Sequence, residues 1–217
     1  VRQVVTELNP EVLALELPPI SIPLFEQYAS TDRCPPVFGG EMSAAIQAAT
    51  GTPVGIDRPT GGFFQRLARN LLRERPSLQT VRNVVSATVK TTKHAVTCRV
   101  AAAVGARTSI RLEVDSPVTH DIDWAAAPDD QARDERKQIR RSRSFTNAFR
   151  TASRTRASRL EDVAREEEMA ARLSQLREEG DTVAVVGLDH LDSIAERLNP
   201  AGETAPSDGV RYTHSNN

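Results

Sequence analysis

A short β-branched stretch near the C-terminal end constrains the fold of this chain more than any other feature. Residues 182–186 form an apolar run without alternation, and such a run favours a buried parallel strand over a helix. Gly187 ends the run, and His190 follows immediately before a new amphipathic segment. Because ligands of open α/β sheets bind outside the carboxyl ends of the strands, this histidine is placed for chemistry. The pattern Gly-x-x-His also arises by chance, however, and a lone histidine at a strand end is more often a capping or core residue.

Two further strands are predicted to end at acidic residues. Residues 12–17 are an apolar stretch closed by a pair of prolines, and the leucines share one face while Glu16 lies on the other. Residues 53–59 predict a second short strand with Asp57 near its end. A helical stripe that opens at Gly40 separates the two, so they form a β-α-β unit with parallel strands. We therefore expect both acids at the same edge of one sheet.

Helical patterns fill most of the rest of the chain. Residues 63–106 are helical with a break at Pro76, and a capping box at residues 158–161 begins an acid-rich helix that Gly180 ends. The predicted buried residues are Phe64, Leu67, Leu71 and Leu72 in the first region and Leu160, Val163, Ala170, Leu173 and Leu176 in the acid-rich helix.

The order of these elements predicts an α/β fold with a mainly parallel central sheet, flanking helices and a large helical insertion at about residues 63–157. One domain would cover residues 1–200, and the polar residues 201–217 predict a disordered tail. Val1 is not an initiator methionine and already lies in a helical pattern, so we expect a missing segment upstream.

Composition narrows the function classes. The 217 residues carry a formal net charge of -1, with 39% hydrophobic and 26% charged residues, which gives no global attraction to nucleic acid or membrane. No apolar run is long enough to cross a bilayer, and Cys34 and Cys98 are predicted to be independent reduced thiols, which favours a cytoplasmic location. A homo-oligomer stays open.

Charge is unevenly distributed along the chain. Residues 133–159 hold ten arginines and lysines against two acids, whereas residues 160–181 hold eight acids against three arginines. Few aromatic residues interleave with the basic block and no recognised nucleic-acid motif occurs in it, so solvated or mutually paired helices are the favoured interpretation. Nucleic-acid binding ranks last among the functions we consider.

Together the strand ends indicate a site for a divalent cation. Glu16, Asp57 and His190 provide two carboxylates and an imidazole, which are ligands for zinc, manganese or cobalt. A water bound to such a metal has its pKa lowered to about 7 and becomes a hydrolytic nucleophile. Three protein groups are the minimum for such a site, and no further suitable histidine lies downstream of Gly40.

Four ordered segments resemble the TraB/PrgY pheromone-shutdown family. They are residues 12–17, 39–42, 56–58 and 184–191, near both ends of the chain. That family is similar to the group of TIKI metalloproteases, erythromycin esterases and ChaN-like proteins, whose members carry a strand-borne glutamate and two Gly-x-x-His motifs. The resemblance implies the α/β fold of that group, a metal-dependent, peptidase-like activity, and peptides as substrates or ligands.

The resemblance also assigns roles to individual residues. Glu16 and His190 match positions that imply metal ligands or catalytic groups, and Arg165 looks like the family's arginine before the final strand, which holds an oxyanion or orients an acid. The chain departs from the family at Pro18, where relatives commonly have an aspartate, and in lacking the first Gly-x-x-His, which we expect upstream of Val1. The candidate substrate-binding residues are Glu41, Asp57 and Arg58.

Two main functions follow. The leading hypothesis is a metal-dependent hydrolase of peptide bonds, with Glu16 and His190 as ligands or acid–base groups and Arg58 or Arg165 binding substrate. The alternative is a noncatalytic protein that binds or sequesters a peptide signal, and its peptide affinity would survive loss of His190.

Overall fold

Three short parallel strands form the sheet at the centre of the fold. In the computed structural model they are β1 (Val12–Leu15), β2 (Thr52–Gly55) and β3 (Thr182–Val185), in the spatial order β2-β1-β3. Leu15 pairs with Gly55 on one side and with Val185 on the other, so all three strands end at the same level. The predicted parallel α/β arrangement is confirmed, and each strand is shorter than its sequence pattern indicates.

The structure describes residues 1–108, 112–114, 133 and 155–199. The remainder of the predicted insertion, most of the basic block at 133–159 and the tail at 201–217 lie outside these ranges. No helix within them combines the length and the hydropathy needed to span a membrane. The described helices are α1 (Arg2–Leu8), α2 (Ile22–Ala29), α3 (Gly40–Ala48), α4 (Gly61–Glu74), α5 (Leu78–Gly105), α6 (Arg156–Glu179) and α7 (Leu188–Leu198), with a 3-10 turn at Pro19–Ser21.

The central strand β1 is buried because helices pack on both of its faces. Leu13 and Leu15 pack in one apolar cluster with residues of α1, α2, α3 and the C-terminal half of α5. Ala14 points the opposite way and packs with Ile56 and with residues of α6 and α7. This is the period-two alternation predicted for residues 12–17. The sheet is therefore the middle of three layers, with helices on both of its faces.

Helix α2 is an element that the sequence patterns did not predict. It begins with a proline, Pro23, in its first turn, where the missing backbone N–H is not needed for an intrahelical hydrogen bond. Its buried side chains Ile22, Leu24, Phe25 and Tyr28 contribute a large part of the apolar cluster on the Leu13 face of the sheet. The sequence signal for this helix is Pro23 followed by the apolar residues Leu24, Phe25 and Tyr28.

The buried face of α4 differs from the predicted stripe. It runs through Phe63, Leu67 and Asn70, which are buried, whereas Phe64 is 45% exposed and Leu72 is 78% exposed. The prediction is therefore wrong at Phe64 and Leu72. Because one position of the true face is polar, apolar periodicity alone does not reveal it.

The acid-rich helix α6 begins before the predicted capping box. The hydroxyl of Thr155 accepts a hydrogen bond from the backbone N–H of Ser158 and caps the helix, and Gly180 ends it as predicted. Among the predicted buried residues, Val163 is exposed. Three acids of this helix are buried instead, namely Glu161, Glu166 and Glu168.

Alanine substitutions at two leucines test the observed face of α4. Leu67 is 6% exposed and packs with side chains of α5 and α6, so Leu67→Ala should lower the free energy of unfolding by about 2–5 kcal/mol. Leu72 is exposed, so the matched change Leu72→Ala should alter it by no more than about 0.5 kcal/mol. Urea denaturation followed by circular dichroism measures both values. Equal losses in the two variants would contradict this assignment of the buried face.

Candidate functional site

The carboxyl ends of the three strands bring three of the predicted site residues together. Glu16 directly follows β1, Asp57 lies two residues after β2, and His190 lies in the first turn of α7, just after β3. Their side chains are at most 14% exposed. The sheet edge is therefore lined by two carboxylates and an imidazole that are largely removed from water.

Arg165 connects these three residues. It projects from the middle of α6, and its Nε and Nη2 donate to the two carboxylate oxygens of Asp57 at 2.9 and 2.7 Å. Nη2 also donates to Glu16 Oε1 at 2.8 Å, and Nη1 donates to His190 Nε2 at 3.0 Å. The planar fork of a guanidinium suits this geometry, which a lysine ammonium would not reproduce. One side chain thus ties α6 to the residues that follow all three strands.

The positive charge of Arg165 is secured by its neighbours. Burial disfavours the charged guanidinium and by itself lowers the pKa of Arg165, but the hydrogen bond from Arg165 to Asp57 and the negative charges of Asp57 and Glu16 outweigh burial, so the pKa lies above its ordinary value. A buried charge is costly unless it is paired and hydrogen-bonded, and all three charges of this group meet that condition.

His190 is held between Arg165 and Glu166. Because a guanidinium only donates, Nε2 of His190 must be the acceptor, so Nδ1 carries the proton and donates to Glu166 Oε1 at 3.1 Å. The second carboxylate oxygen of Glu166 lies 3.5 Å from Nη2 of Arg197, which is on the same helix as the histidine. These contacts assign the neutral Nδ1–H tautomer to His190 and fix its ring.

The second oxygen of Glu16 binds the N-terminus of α7. Gly187 caps this helix, and its backbone N–H donates to Glu16 Oε2 at 2.5 Å. The free N–H groups and the dipole of a helix N-terminus stabilise a carboxylate at that position. A side chain at position 187 would place its Cβ 3.0 Å from this oxygen, so glycine leaves the room that the contact requires.

Two predicted substrate-binding residues lie apart from this cluster. Arg58 donates from Nη1 to Glu161 Oε1 at 2.7 Å, and its guanidinium lies over the ring of Phe63, 5.6 Å from the centroid. Glu41 is exposed in the first turn of α3 and shares none of the hydrogen bonds that join the described cluster residues. The roles of Arg58 and Glu41 stay predictions. The residues that the structure brings together are Glu16, Asp57, Arg165 and His190, which form the strand-edge cluster.

A second set of buried ion pairs lies between α6 and the helices before it. Glu161, the partner of Arg58, also accepts a hydrogen bond from Thr88 of α5 at 3.0 Å. Glu168 accepts from Thr60 at 2.7 Å and lies 3.4 Å from Nε of Arg66. The buried acids of α6 are thus each paired across an interface between elements.

The cluster does not fit a divalent metal in this arrangement. A histidine ligand must offer the lone pair of a ring nitrogen, yet Nε2 of His190 accepts from Arg165 and Nδ1 donates to Glu166. The carboxylates of Asp57 and Glu16 also face Arg165. The guanidinium occupies the position between these groups that a shared cation would take. Among the residues that the structure describes, no group of three or more His, Cys, Asp or Glu side chains is arranged to hold a metal ion.

Sequence reasoning missed Glu166 and Arg197. Glu166 belongs to an acid-rich segment that charge patterning assigns to a solvated face. A signal was nevertheless present, because Glu166 precedes Met169, Ala170 and Leu173 by three, four and seven residues and so lies on their apolar stripe. An acid on such a stripe needs a buried partner, which here is His190.

Comparisons with known proteins do not identify a family for this chain. No protein-family model, curated protein or solved structure matches it. The resemblance to the TraB/PrgY family therefore stays a prediction.

The variant Arg165→Gln tests whether the cluster depends on the guanidinium. The change leaves the carboxylates of Asp57 and Glu16 without their charged partner, and breaking a buried pair in this way costs about 3–5 kcal/mol of unfolding free energy. Arg159→Gln is the matched control, because Arg159 is exposed on the same helix, and it should cost no more than about 0.5 kcal/mol. Urea denaturation at neutral pH measures both. A cost below about 1 kcal/mol for Arg165→Gln, typical of a surface pair, would contradict this role.

Proposed function

We propose that this chain is a peptide-binding domain of the TraB/PrgY type that sequesters its ligand without cleaving it. The observation that carries the proposal is the position of Arg165, whose guanidinium bonds to Glu16, Asp57 and His190 at once. An imidazole that acts as a general base or a metal ligand needs an accessible lone pair, and in this cluster the lone pair of His190 Nε2 is held by Arg165. The noncatalytic alternative therefore accounts for the geometry better than the hydrolase.

In this proposal the cluster shapes the binding edge and does not react with the ligand. Arg165 holds α6 against the strand ends, while Glu166 and Gly187 hold α7 at the same edge. Ligands of parallel sheets bind outside this edge, and a preformed surface lowers the entropic cost of binding. The proposed domain covers residues 1–200, with the helical insertion at about residues 63–157.

A metal-dependent hydrolase is the second candidate. The observation that favours it is the convergence of Glu16, Asp57 and His190 at one sheet edge, because these are the two carboxylates and the imidazole from which the strand ends predict a cation site. For this activity Arg165 would have to release Nε2 of His190. The two candidates differ in whether the bound peptide is cleaved.

The variant His190→Gln distinguishes between binding and hydrolysis. A glutamine amide oxygen accepts from Arg165 while its NH₂ group donates to Glu166, so the variant retains both contacts and removes the imidazole. We expect its peptide affinity to stay within about twofold of the wild-type value, which is below about 1 kcal/mol. The probe is the tightest binder from an array of short random-sequence peptides, and fluorescence anisotropy with the full chain measures its affinity.

Mass spectrometry of the same peptide, incubated with the protein and zinc, manganese or cobalt, supplies the catalytic measurement. An intact peptide with both wild type and His190→Gln supports sequestration. Cleavage by the wild type that His190→Gln abolishes contradicts sequestration and establishes the hydrolase. If the array yields no peptide that binds, both candidates fail.

A further inference from the structure

Helix α5 carries an apolar surface that faces solvent. Four of its valines are about half exposed, with Val85 at 52%, Val89 at 47%, Val96 at 50% and Val100 at 54%. Leu78, at the start of the helix, is 85% exposed. These five residues are called the α5 stripe below.

The α5 stripe is narrow and runs along most of the helix. At about 100° per residue, all five members fall within an arc of about 60°. The 28 residues of α5 span about 42 Å, and the valines recur after four, seven and four residues, which is the recurrence of a helix–helix seam. The buried side chains of Val84, Ala95 and Cys98 lie on a different face of the helix. The α5 stripe is therefore a second apolar face, separate from the one that contacts the core.

A valine on a solvated helix face does not stabilise the helix by its own propensity. β-Branched side chains lose rotamer freedom in a helix, so they are poorer helix formers than alanine or leucine and gain stability mainly by packing. A row of half-exposed valines aligned over several turns differs from single exposed apolar residues, which are common on surfaces. Aligned apolar surface of this kind marks an interaction site.

The charges on α5 select the kind of partner. The helix contains no acidic residue, and its lysines and arginines are Arg82, Lys90, Lys93 and Arg99, all exposed. At about 100° per residue Arg82 falls within the arc of the α5 stripe, between Leu78 and Val85, and Arg99 lies about 40° outside the arc near its other end. A second copy of α5 would bring these positive charges against the same set, which is unfavourable. A partner that contributes carboxylates beside an apolar seam matches both properties of the face.

An anionic membrane would match the charge but not the apolar residues. Helices that lie in a membrane interface anchor through tryptophan, phenylalanine and leucine. Of these three residue types α5 has only Leu78, and the exposed valines form a narrow line instead of a broad face. A single protein helix fits such a line.

We propose that the exposed face of α5 binds an amphipathic, acidic helix of a partner protein. The apolar side chains of the partner pack between the valines of the α5 stripe, and its carboxylates face Arg82 and Arg99. This interaction is independent of the strand-edge cluster and of the function proposed for it.

The probe for this surface is a synthetic heptad-repeat helix as long as α5, with leucine at the a and d positions and glutamate at e and g. A reference probe carries lysine in place of glutamate. We expect the full chain to bind the glutamate probe about tenfold more tightly or better, because only that probe complements the charges of α5. Isothermal titration calorimetry measures both affinities, and equal affinities would overturn the proposal.

Substitutions on the α5 stripe test its location. Val89→Asp combined with Val96→Asp should weaken binding of the glutamate probe by about tenfold or more, because charges replace the centre of the apolar contact. Ser86→Asp combined with Thr97→Asp adds the same charges at exposed positions outside the stripe and should weaken binding by no more than about threefold. Circular dichroism melts confirm that each variant is folded. Equal losses in the two pairs would place the contact elsewhere and overturn the proposal.

A charge reversal tests the chemistry of the partner. Arg82→Glu combined with Arg99→Glu should invert the preference, so that the lysine probe becomes the tighter ligand. If the variant still preferred the glutamate probe, Arg82 and Arg99 would not be the groups that face the partner's carboxylates, and the proposal would be overturned.

Two other occupants are outcomes of the same measurements. The first is a membrane. If the chain bound phosphatidylserine vesicles and the paired Val89 and Val96 variant did not, the face would bind membranes and the proposal of a partner helix would be overturned.

The second is a segment of the chain itself. Five aspartates lie between residues 115 and 130. If changing all five to asparagine tightened probe binding by about tenfold or more, the chain's own acidic segment would be the competing ligand, and the proposal would be overturned.

Discussion

The bidentate contact between Arg165 and Asp57 is the interaction on which the strand-edge cluster depends. Two parallel N–H···O bonds, at 2.9 and 2.7 Å, orient the guanidinium so that its remaining N–H groups reach Glu16 and His190. The register of β1 and β2 by itself places the carboxylates of Glu16 and Asp57 at the same sheet edge. Because buried like charges repel and are costly to desolvate, this edge requires a positive charge, and α6 supplies it.

Helix α6 is positioned by charge as well as by apolar packing. Apolar contacts are non-directional, and a helix held by them alone tolerates rotation or a shift along its axis. Hydrogen bonds to charged side chains have fixed geometry, and those of α6 point to three different parts of the fold: α4 and α5, the sheet edge, and α7. Such contacts add little net stability over apolar side chains, but each one penalises a wrong register by leaving a charge buried without a partner. The charged residues that fix α6 in this way are Glu161, Arg165, Glu166 and Glu168.

The sequence predicts the sheet and the meeting of Glu16 with Asp57 because both follow from local patterns and strand polarity. A short buried strand is visible in four or five residues, and parallel strands must end at the same edge. How Arg165 closes the cluster was not predictable, since its carboxylate partners lie 108 and 149 residues away and no local pattern records such distances. Polar residues on buried faces, such as Asn70 in α4 and Glu166 in α6, were missed for a related reason. Periodicity counts apolar side chains, and a buried polar residue is defined by a partner on another element.

A guanidinium and a divalent metal can pair with the same carboxylates, but the chemical consequences differ. A metal accepts lone pairs and retains open coordination positions, at which a water can bind and lose a proton. A guanidinium donates along fixed N–H directions and activates no water, and in this cluster its Nε, Nη1 and Nη2 groups are all used by protein acceptors. With Arg165 in place, the two carboxylates share one positive charge, and that charge is not a Lewis acid. Glu16, Asp57 and His190 then have a structural role. They hold α6 through Arg165, and they hold α7 through the contacts of Glu16 with Gly187 and of His190 with Glu166. For the proposed binding function, a rigid edge of this kind is an advantage, because a preformed surface lowers the entropic cost of binding.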